Sequence, residues 1–552
     1  MAPSSTTAVG QPYRAEDEKH DKDVHLADGN VKFVEVQNAD LALALTTGPK
    51  LRAMGRRSLQ LFLILLVAFM GSLSNGFDGS VMSAVNGMDQ YLEYFGIAGA
   101  DAGGGVGTTT AIIFGIYPIG SIAGIAFAGP IADHFGRRGG MFAGSVIIIV
   151  GAIVITVAKN VPYLLGGRFV LGFGVAISTT AAPAYVVEMS PPQWRGRLTG
   201  LYNTFYYAGS ILCTGITVAT GRIQSSTSWR APLAIQIGPA AILAIFAFVL
   251  PESPRWLMSV GKDDEARRVL ARYHGNDDVN SPLVQLEWRE FQEGISTSGT
   301  DKKWWDYSGL YDTRNARYRT FMMLLMGFFG QWSGNGLGYF LTILFTNAGA
   351  DTQNERLTLN FANTIISAGG ALIGTGLADK VGRRPMWLWG TFGCAGTLAL
   401  VTAFTAKWGQ NDSNPAGANA AIAFIFIFGF VYSITYTPLQ ALYPAECLHY
   451  NTRAKGMAVY ALAVNCASFV NTYTGPIALD KLKWKYYIVF IAWDLFECLI
   501  IWLCVVETNG RTLEELNEIF DDPHPVRAST SKTKLAIVEK DGKKEGHVVG
   551  TT

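Results

Sequence analysis

Apolar stretches of about 20 residues, long enough to cross the hydrocarbon core of a bilayer as helices, recur at roughly 59–84, 109–130, 141–158, 162–186, 199–220, 231–250, 320–348, 358–378, 386–406, 419–443, 456–479 and 485–506. One long polar connection, 253–319, separates the first six from the last six. The pattern predicts an all-α membrane protein of twelve transmembrane helices in two six-helix, pseudo-symmetric halves. Gly, Pro or polar residues interrupt several stretches, which a bundle tolerates where protein or a water-filled cavity satisfies the freed backbone groups. A path through the membrane is expected along those breaks.

The polar punctuation repeats too. Gly129-Pro130-Ile131-Ala132-Asp133-His134-Phe135-Gly136-Arg137-Arg138 returns as Gly376-Leu377-Ala378-Asp379-Lys380-Val381-Gly382-Arg383-Arg384. Each copy is followed by an acid with an arginine seven residues on, Glu188 with Arg195 and Glu446 with Arg453. Halves repeated in the same order and orientation are related about the membrane normal, an arrangement that puts a binding site near mid-bilayer between them.

Composition agrees: 49% of the residues are hydrophobic, 16% are charged, and 61 glycines suit close helix approach in lipid. A net charge of +1, with basic residues confined to short loops, leaves no footprint for nucleic acid. Cys213, Cys394, Cys447, Cys466, Cys498 and Cys504 lie in or beside apolar stretches without metal-ligand spacing, so free thiols and no metal are expected. The histidines fall in tails or loops, which leaves no histidine relay through the membrane. No nucleophile–base–orienter set or phosphate loop is present, so neither enzymatic activity nor a cofactor is expected.

Alternate connections carry Arg137 and Arg138, Arg195 and Arg197, Lys380, Arg383 and Arg384, and Arg453 and Lys455; the opposite set holds little more than Lys159, Arg222, Arg356 and Lys407. The basic side, and both termini with it, is expected to be cytoplasmic, with Lys481, Lys483 and Lys485 a local exception. The chain then divides into a largely disordered tail without a cleaved signal peptide (1–57), two helical halves (58–252 and 320–507), a cytoplasmic helical linker (253–319) and a cytoplasmic tail (508–552), disordered past Pro523. Within the linker, Asp263–His274 reads as an amphipathic helix with an acidic start and a basic end. Asn411-Asp412-Ser413 is an N-glycosylation acceptor on the outer side.

Loop arginines can bridge helix C-termini to carboxylates. One copy of the repeat by itself is equally well an ordinary basic loop; two copies at matched positions favour a designed set. Asp133, Arg137, Arg138, Glu188, Arg195, Glu252 and Arg255, with Asp379, Arg383, Arg384, Glu446 and Arg453, are expected to form a cytoplasmic gating network. It should latch the halves together when the molecule opens outward and break when it opens inward, each pair partly exposed and modest in energy.

The paired D-x-x-G-R-R loops, Gly167-Arg168 before Leu171-Gly172-Phe173-Gly174, Glu188 with Arg195-Gly196-Arg197, Pro251-Glu252-Ser253-Pro254-Arg255-Trp256-Leu257 and Tyr443-Pro444-Ala445-Glu446 resemble the sugar porter family of the major facilitator superfamily. The likeness covers roughly 59–515, and Gln331-Trp332-Ser333-Gly334-Asn335-Gly336 looks most like the fungal lactose and cellodextrin permease branch. The resemblance implies the major facilitator fold and sugar transport by alternating access.

Two charges inside spans draw attention because they are costly there. Asp78, in Gly76-Phe77-Asp78-Gly79, and Arg168 lie at matching depth toward the outer side. The resemblance makes them the proton-coupling pair; a purely structural ion pair is the alternative. Asp494 and Glu497 in the last span have no role in the resemblance and are read as structural.

A sugar needs amides for its hydroxyls and aromatic platforms for its C–H faces. Asn203, Gln331, Trp332, Asn335, Tyr339, Phe340, Gln440, Asn465 and Asn471 are the candidate substrate residues, on helices that line the family's cavity. For each lone amide an interhelical hydrogen bond is an equal explanation. Against the usual hexose-carrier pattern, Asn203 replaces a glutamine, Gly330 the first glutamine of a pair, Asn335 stands immediately after Gly334 rather than two residues on, and Ala441 replaces a tryptophan. Smaller side chains predict a cavity large enough for a disaccharide such as lactose or cellobiose. The expectation is therefore a monomeric, plasma-membrane sugar:proton symporter. A hexose, pentose or polyol-acid carrier and a nontransporting sugar sensor are the alternatives.

Overall fold

The computed structural model describes residues 51–97, 105–299, 306–350, 352–408, 415–449, 452–509, 511, 513–530, 533–540 and 543–551. Most of the N-terminal tail and the Asn411 acceptor lie outside them. The first half comprises Arg56–Val85, Thr108–His134, Gly136–Thr156, Val161–Met189, Pro192–Thr220 and the kinked pair Thr227–Ile235 and Ile237–Phe246. The second comprises a seventh span in three pieces (Arg314–Trp332, Asn335–Gly338 and Leu341–Asn347), then Gln353–Val381, Arg383–Trp408, Pro415–Cys447, Arg453–Leu482 and Tyr486–Cys504. These are the first to twelfth spans. Among the described residues, nine segments are long and apolar enough to cross a membrane, one of which, Lys455–Cys504, contains the last two spans in sequence.

The outward faces remain apolar. Leu63, Ile245, Phe248, Trp389, Leu499 and Trp502 are exposed, as expected where the outer solvent is hydrocarbon. Inside each half, small residues set the spacing. Gly144 and Gly151 of the third span face Gly174 and Gly167 of the fourth, and a Cβ added at Gly151 would lie 2.7 Å from the Leu171 nitrogen. The two backbones therefore touch, and dispersion along their length replaces the hydrophobic drive that lipid cannot supply.

The halves meet through the second span against the eleventh and the fifth against the eighth. Moving six spans along exchanges these two pairs, so the interface carries the same pseudo-twofold relation as the sequence repeat. Outside the membrane-crossing helices, Asp263–His274 forms over the predicted residues, with Asp263, Asp264 and Glu265 in its first turn and Arg272 and His274 in its last. The linker adds Pro254–Ser259 and Pro282–Gly299. It docks on the first half through His274, whose Nε2 meets the Met189 carbonyl at 3.1 Å, and through Glu287, which pairs with Arg195 at 3.2 Å.

The seventh span is one of the interrupted stretches: Gly334 adopts a left-handed φ of 94° two residues after Trp332. One expectation is corrected. The tail past Pro523 is not without regular structure: it forms the helix Pro525–Thr530, whose Ser529 hydroxyl accepts from the Glu507 nitrogen at 3.1 Å, and an antiparallel hairpin of Thr533–Lys540 with Lys543–Thr551.

Candidate functional site

Asp78 of the first span and Arg168 of the fourth open onto one narrow cavity at the junction of the halves. Phe114, Tyr117 and Pro118 of the second span, Tyr339 of the seventh, and Ser468 and Thr472 of the eleventh complete its wall. Both charged groups are buried, yet no ion pair joins them among the described contacts. Arg168 donates Nε to the Ile113 carbonyl at 2.6 Å and lies over the rings of Phe114 and Tyr117, 5.4 Å from each centroid. Tyr117 lines the same cavity wall as Asp78, whose Oδ2 is buried without a partner. The geometry departs from the simple structural ion pair: an arginine, a tyrosine and a carboxylate share one chamber, with the guanidinium over the Tyr117 ring. Tyr117 was missed in the sequence. Its only signal there is a hydroxyl next to an intramembrane proline, Pro118, on a helix facing the other half.

The break in the seventh span decides where most of the candidate amides go. A helix interrupted at Ser333–Gly334 frees carbonyls that would bond four residues on. The Gly330 carbonyl accepts from Tyr432 OH at 2.5 Å and Gln440 Nε2 at 3.2 Å; the Gln331 carbonyl accepts from Asn471 Nδ2 at 2.5 Å. Gln440 and Asn471 thus cap a broken helix. Asn335 donates Nδ2 to the Gln331 side chain at 2.8 Å, Asn465 to the Ala461 carbonyl of its own helix at 2.9 Å, and Trp332 Nε1 to the Ala467 carbonyl at 3.2 Å. Phe340 is fully buried against Phe114, their centroids 4.8 Å apart, while Asn203 is exposed. Of the nine candidates, Tyr339 alone lines the chamber around Asp78.

The room expected at Gly330 is also filled. A Cβ there would lie 2.6 Å from Gln440 Nε2, so the tenth span occupies the space a side chain would need. Ala441, by contrast, is exposed.

On the face carrying the arginine loops the two halves repeat one motif. Arg137 forks onto Glu188, Nε to Oε2 at 3.1 Å and the terminal nitrogen to Oε1 at 3.0 Å, and reaches the Ala132 carbonyl at 3.0 Å. Arg383 forks onto Glu446 at 3.1 and 2.7 Å and reaches the Ala378 carbonyl at 3.0 Å. In the first half the backbone nitrogens of Arg137 and Arg138 donate to Glu252, and Ser253 Oγ bonds Glu188. In the second, those of Arg383 and Arg384 donate to Glu507 at 2.9 and 3.1 Å, and Thr508 Oγ1 bonds Glu446 at 2.6 Å. Burial raises the carboxyl of Glu252 above its ordinary range, against the pull of the Ser253, Arg138 and Arg137 backbone nitrogens and of the Arg138 charge. Glu507 is the residue the sequence reading missed. The signal was an acid followed by a hydroxyl after each set of six spans, Glu252-Ser253 and Glu507-Thr508.

All these described pairs stay within one half: in this structure, whose halves are bonded on the opposite face, they clamp helices of the same half. Asp133, 79% exposed, pairs with Arg137 at 3.2 Å, and Arg195 pairs with Glu287 of the linker rather than with Glu188. Arg255 stands outside the described pairs, Arg453 opens the eleventh span, and the side chain of Asp379 is not among the described ones.

Apart from Tyr207 OH with Thr437 Oγ1 at 2.8 Å, part-way along the fifth and tenth spans, the described bonds between the halves cluster on the opposite face. Thr342 Oγ1 donates to the Ser83 carbonyl at 3.2 Å, the Gly107 nitrogen to the Pro476 carbonyl at 3.1 Å, Gln353 Nε2 to the Gly221 carbonyl at 2.7 Å, and Arg356 pairs with Asp89 at 2.9 Å. That face is sealed.

Fold and site together define a two-domain membrane transporter with its chamber between the halves. The family model for sugar (and other) transporters matches residues 64–520, and the chain belongs to that family. It is 30% identical to the MFS glucose transporter mfs1 of Aspergillus flavus, over 84% of this chain and 91% of that protein, and 28% identical to the high-affinity glucose transporter of Kluyveromyces lactis, over 89% and 90%. The xylose transporter XylE from E. coli, in a partially occluded inward-open conformation, superposes with a TM-score of 0.67 over 82% of this chain and 99% of its own, at 22% identity. At that identity the likeness is one of fold. The chain is a multi-pass membrane protein.

Proposed function

We propose that the protein imports a sugar together with a proton by alternating access across the plasma membrane, both termini and the arginine loops facing the cytoplasm. The observation carrying this reading is the chamber that joins Asp78, Tyr117 and Arg168 to Tyr339 of the broken seventh span and Ser468 of the eleventh. A buried acid with one oxygen unpartnered, beside a cation held elsewhere, is a proton site whose charge the arginine and tyrosine stabilise. Groups from both halves touch it, so proton occupancy and the packing of the halves are linked.

A hexose is the sugar proposed. The glucose transporters among the relatives support it, as does the filling of the Gly330 space by Gln440. The disaccharide reading rests on the exposure of Ala441 and Asn203. Labelled glucose, xylose, lactose and cellobiose offered to cells lacking their own sugar carriers, in weakly buffered medium, separate the readings. Accumulation of glucose with external alkalinisation is expected, and Asp78→Asn should abolish accumulation while sparing exchange. Unchanged accumulation in Asp78→Asn would sink the coupling assignment. Disaccharide accumulation would move the substrate to the second reading, and no uptake despite surface expression would leave a sensor.

A further inference from the structure

The twelfth span carries two carboxyl groups one turn apart, Asp494 and Glu497, both fully buried and outside the chamber around Asp78. Such groups are costly within a membrane and are kept where they are used. No cation partners either of them among the described contacts. The titratable groups facing the pair are Cys498 of the same helix, Cys394 of the ninth span and Tyr436 of the tenth; the seventh span contributes the uncharged Ser333. Both oxygens of Asp494 lack any hydrogen-bond partner, a situation that suits a neutral acid and not a carboxylate.

Glu497 is different. Ser333 Oγ and Trp493 Nε1 bond its carboxylate, and Tyr436 OH lies 3.3 Å from it. The hydroxyls continue as a chain, Ser333 Oγ to Tyr436 OH at 2.6 Å and Tyr436 OH to Thr391 Oγ1 at 2.7 Å. Trp387 Nε1 donates to Tyr436 OH at 3.3 Å, and Thr391 donates its own hydrogen to the Trp387 carbonyl at 2.8 Å. Counting hydrogens gives two complete arrangements. With Glu497 ionised, Thr391 turns its hydrogen from the Trp387 carbonyl to Tyr436, Tyr436 donates to Ser333 and Ser333 to Glu497. With Glu497 protonated, Glu497 donates to Ser333, Ser333 to Tyr436, Tyr436 to Thr391 and Thr391 to the Trp387 carbonyl. Trp387 Nε1 donates to Tyr436 in both, and each hydroxyl–hydroxyl contact carries one hydrogen in either. Ordinarily a buried acid is well bonded in one protonation state and leaves a group unsatisfied in the other.

We propose that Glu497 is a second proton-binding site, in the C-terminal half, wired through Ser333 to the break of the seventh span. Ser333 lies between Gln331 and Asn335 and immediately before Gly334, so the direction in which it gives its hydrogen is felt where the helix is interrupted. The consequence for transport rests on the symporter reading; the proton site does not.

The test uses the purified full-length protein in lipid nanodiscs. Infrared difference spectra across a pH series follow the carboxylic C=O stretch in the unaltered protein and in Glu497→Gln, Asp494→Asn and Asp78→Asn. A pH-dependent carboxyl component should be lost in Glu497→Gln and kept in Asp494→Asn and Asp78→Asn. Retention of every pH-dependent component in Glu497→Gln, or its loss in Asp494→Asn, would overturn the proposal. Should Glu497→Gln fail to fold, Tyr436→Phe keeps the carboxyl but cuts the reversible chain; the midpoint of the component should move, and an unmoved midpoint would refute the wiring. Glucose uptake by the unaltered protein is measured alongside. Its absence would count against the transport reading while leaving the infrared result to decide the proton site.

Discussion

The sealed face gives the sharpest quantitative expectation. Gln353 of the eighth span donates to the Gly221 carbonyl at 2.7 Å and accepts from the Asp89 nitrogen at 2.9 Å, so one side chain ties the second half to two points of the first. Gln353→Ala removes both bonds. A net hydrogen bond contributes about 0.5–1.5 kcal/mol, and water replaces the lost partners at this half-exposed rim, so the low end applies and the total is about 1 kcal/mol. That corresponds to about a fivefold shift toward the state open on this face. Arg356→Gln removes the pair with Asp89, whose side chain is 67% exposed; screening limits this to about 0.5 kcal/mol. Because both changes act on Asp89, their effects should not add fully. Met82 lines the chamber, so a Met82→Cys background reports opening through its rate of labelling by an impermeant maleimide added outside intact cells. Labelling should accelerate about fivefold with Gln353→Ala. A rate unchanged in Gln353→Ala and in the double variant would refute the reasoning that these contacts hold the face shut.

Three further outcomes follow from the packing and the clamps. Gly151→Ala should lower thermal stability by about 1–3 kcal/mol through overpacking, since its Cβ meets the Leu171 nitrogen at 2.7 Å, whereas Gly166→Ala, with nothing within 4 Å, should be neutral; equal melting temperatures would refute the close third–fourth contact. Arg383→Lys keeps the charge but loses the fork onto Glu446 and should cost about 1–3 kcal/mol in a melting assay, so a silent substitution would show that charge alone matters. Burial raises the Glu252 carboxyl, so its contribution to stability is fully present below the ordinary glutamate value of 4.5 and fades as pH rises through the higher folded value. Glu252→Gln should flatten that limb of the melting-temperature curve, and an unaltered curve would contradict the assignment.

Part of the candidate site was legible in the chain, and particular residues show why. Asp78 and Arg168 were legible because a charge inside an apolar stretch stands out against composition. The arginine clamps were legible because they occur twice, and the same logic applied to Glu252-Ser253 and Glu507-Thr508 would have found Glu507. Tyr117 was not, since a tyrosine in a span is chemically ordinary until a carboxylate and a guanidinium are found in the same chamber. The candidate amides were chosen by residue type, and type does not say what an amide bonds. Gln440 and Asn471 turned out to cap carbonyls that exist only because Gly334 breaks the seventh span.

By itself the sequence determined the helices, their number and the repeat, because each span is long and apolar and must satisfy its own backbone in lipid. It also determined the family, through motifs whose order survives in one dimension. Only the tertiary structure decided which face is sealed, that the arginine pairs act within each half, that Gln440 fills the room left at Gly330, and that Ser333 joins Glu497 to the break. Those are contacts between residues far apart in the chain, set by how helices approach and rotate against one another, and a pattern along a single helix carries no information about the face its partner presents.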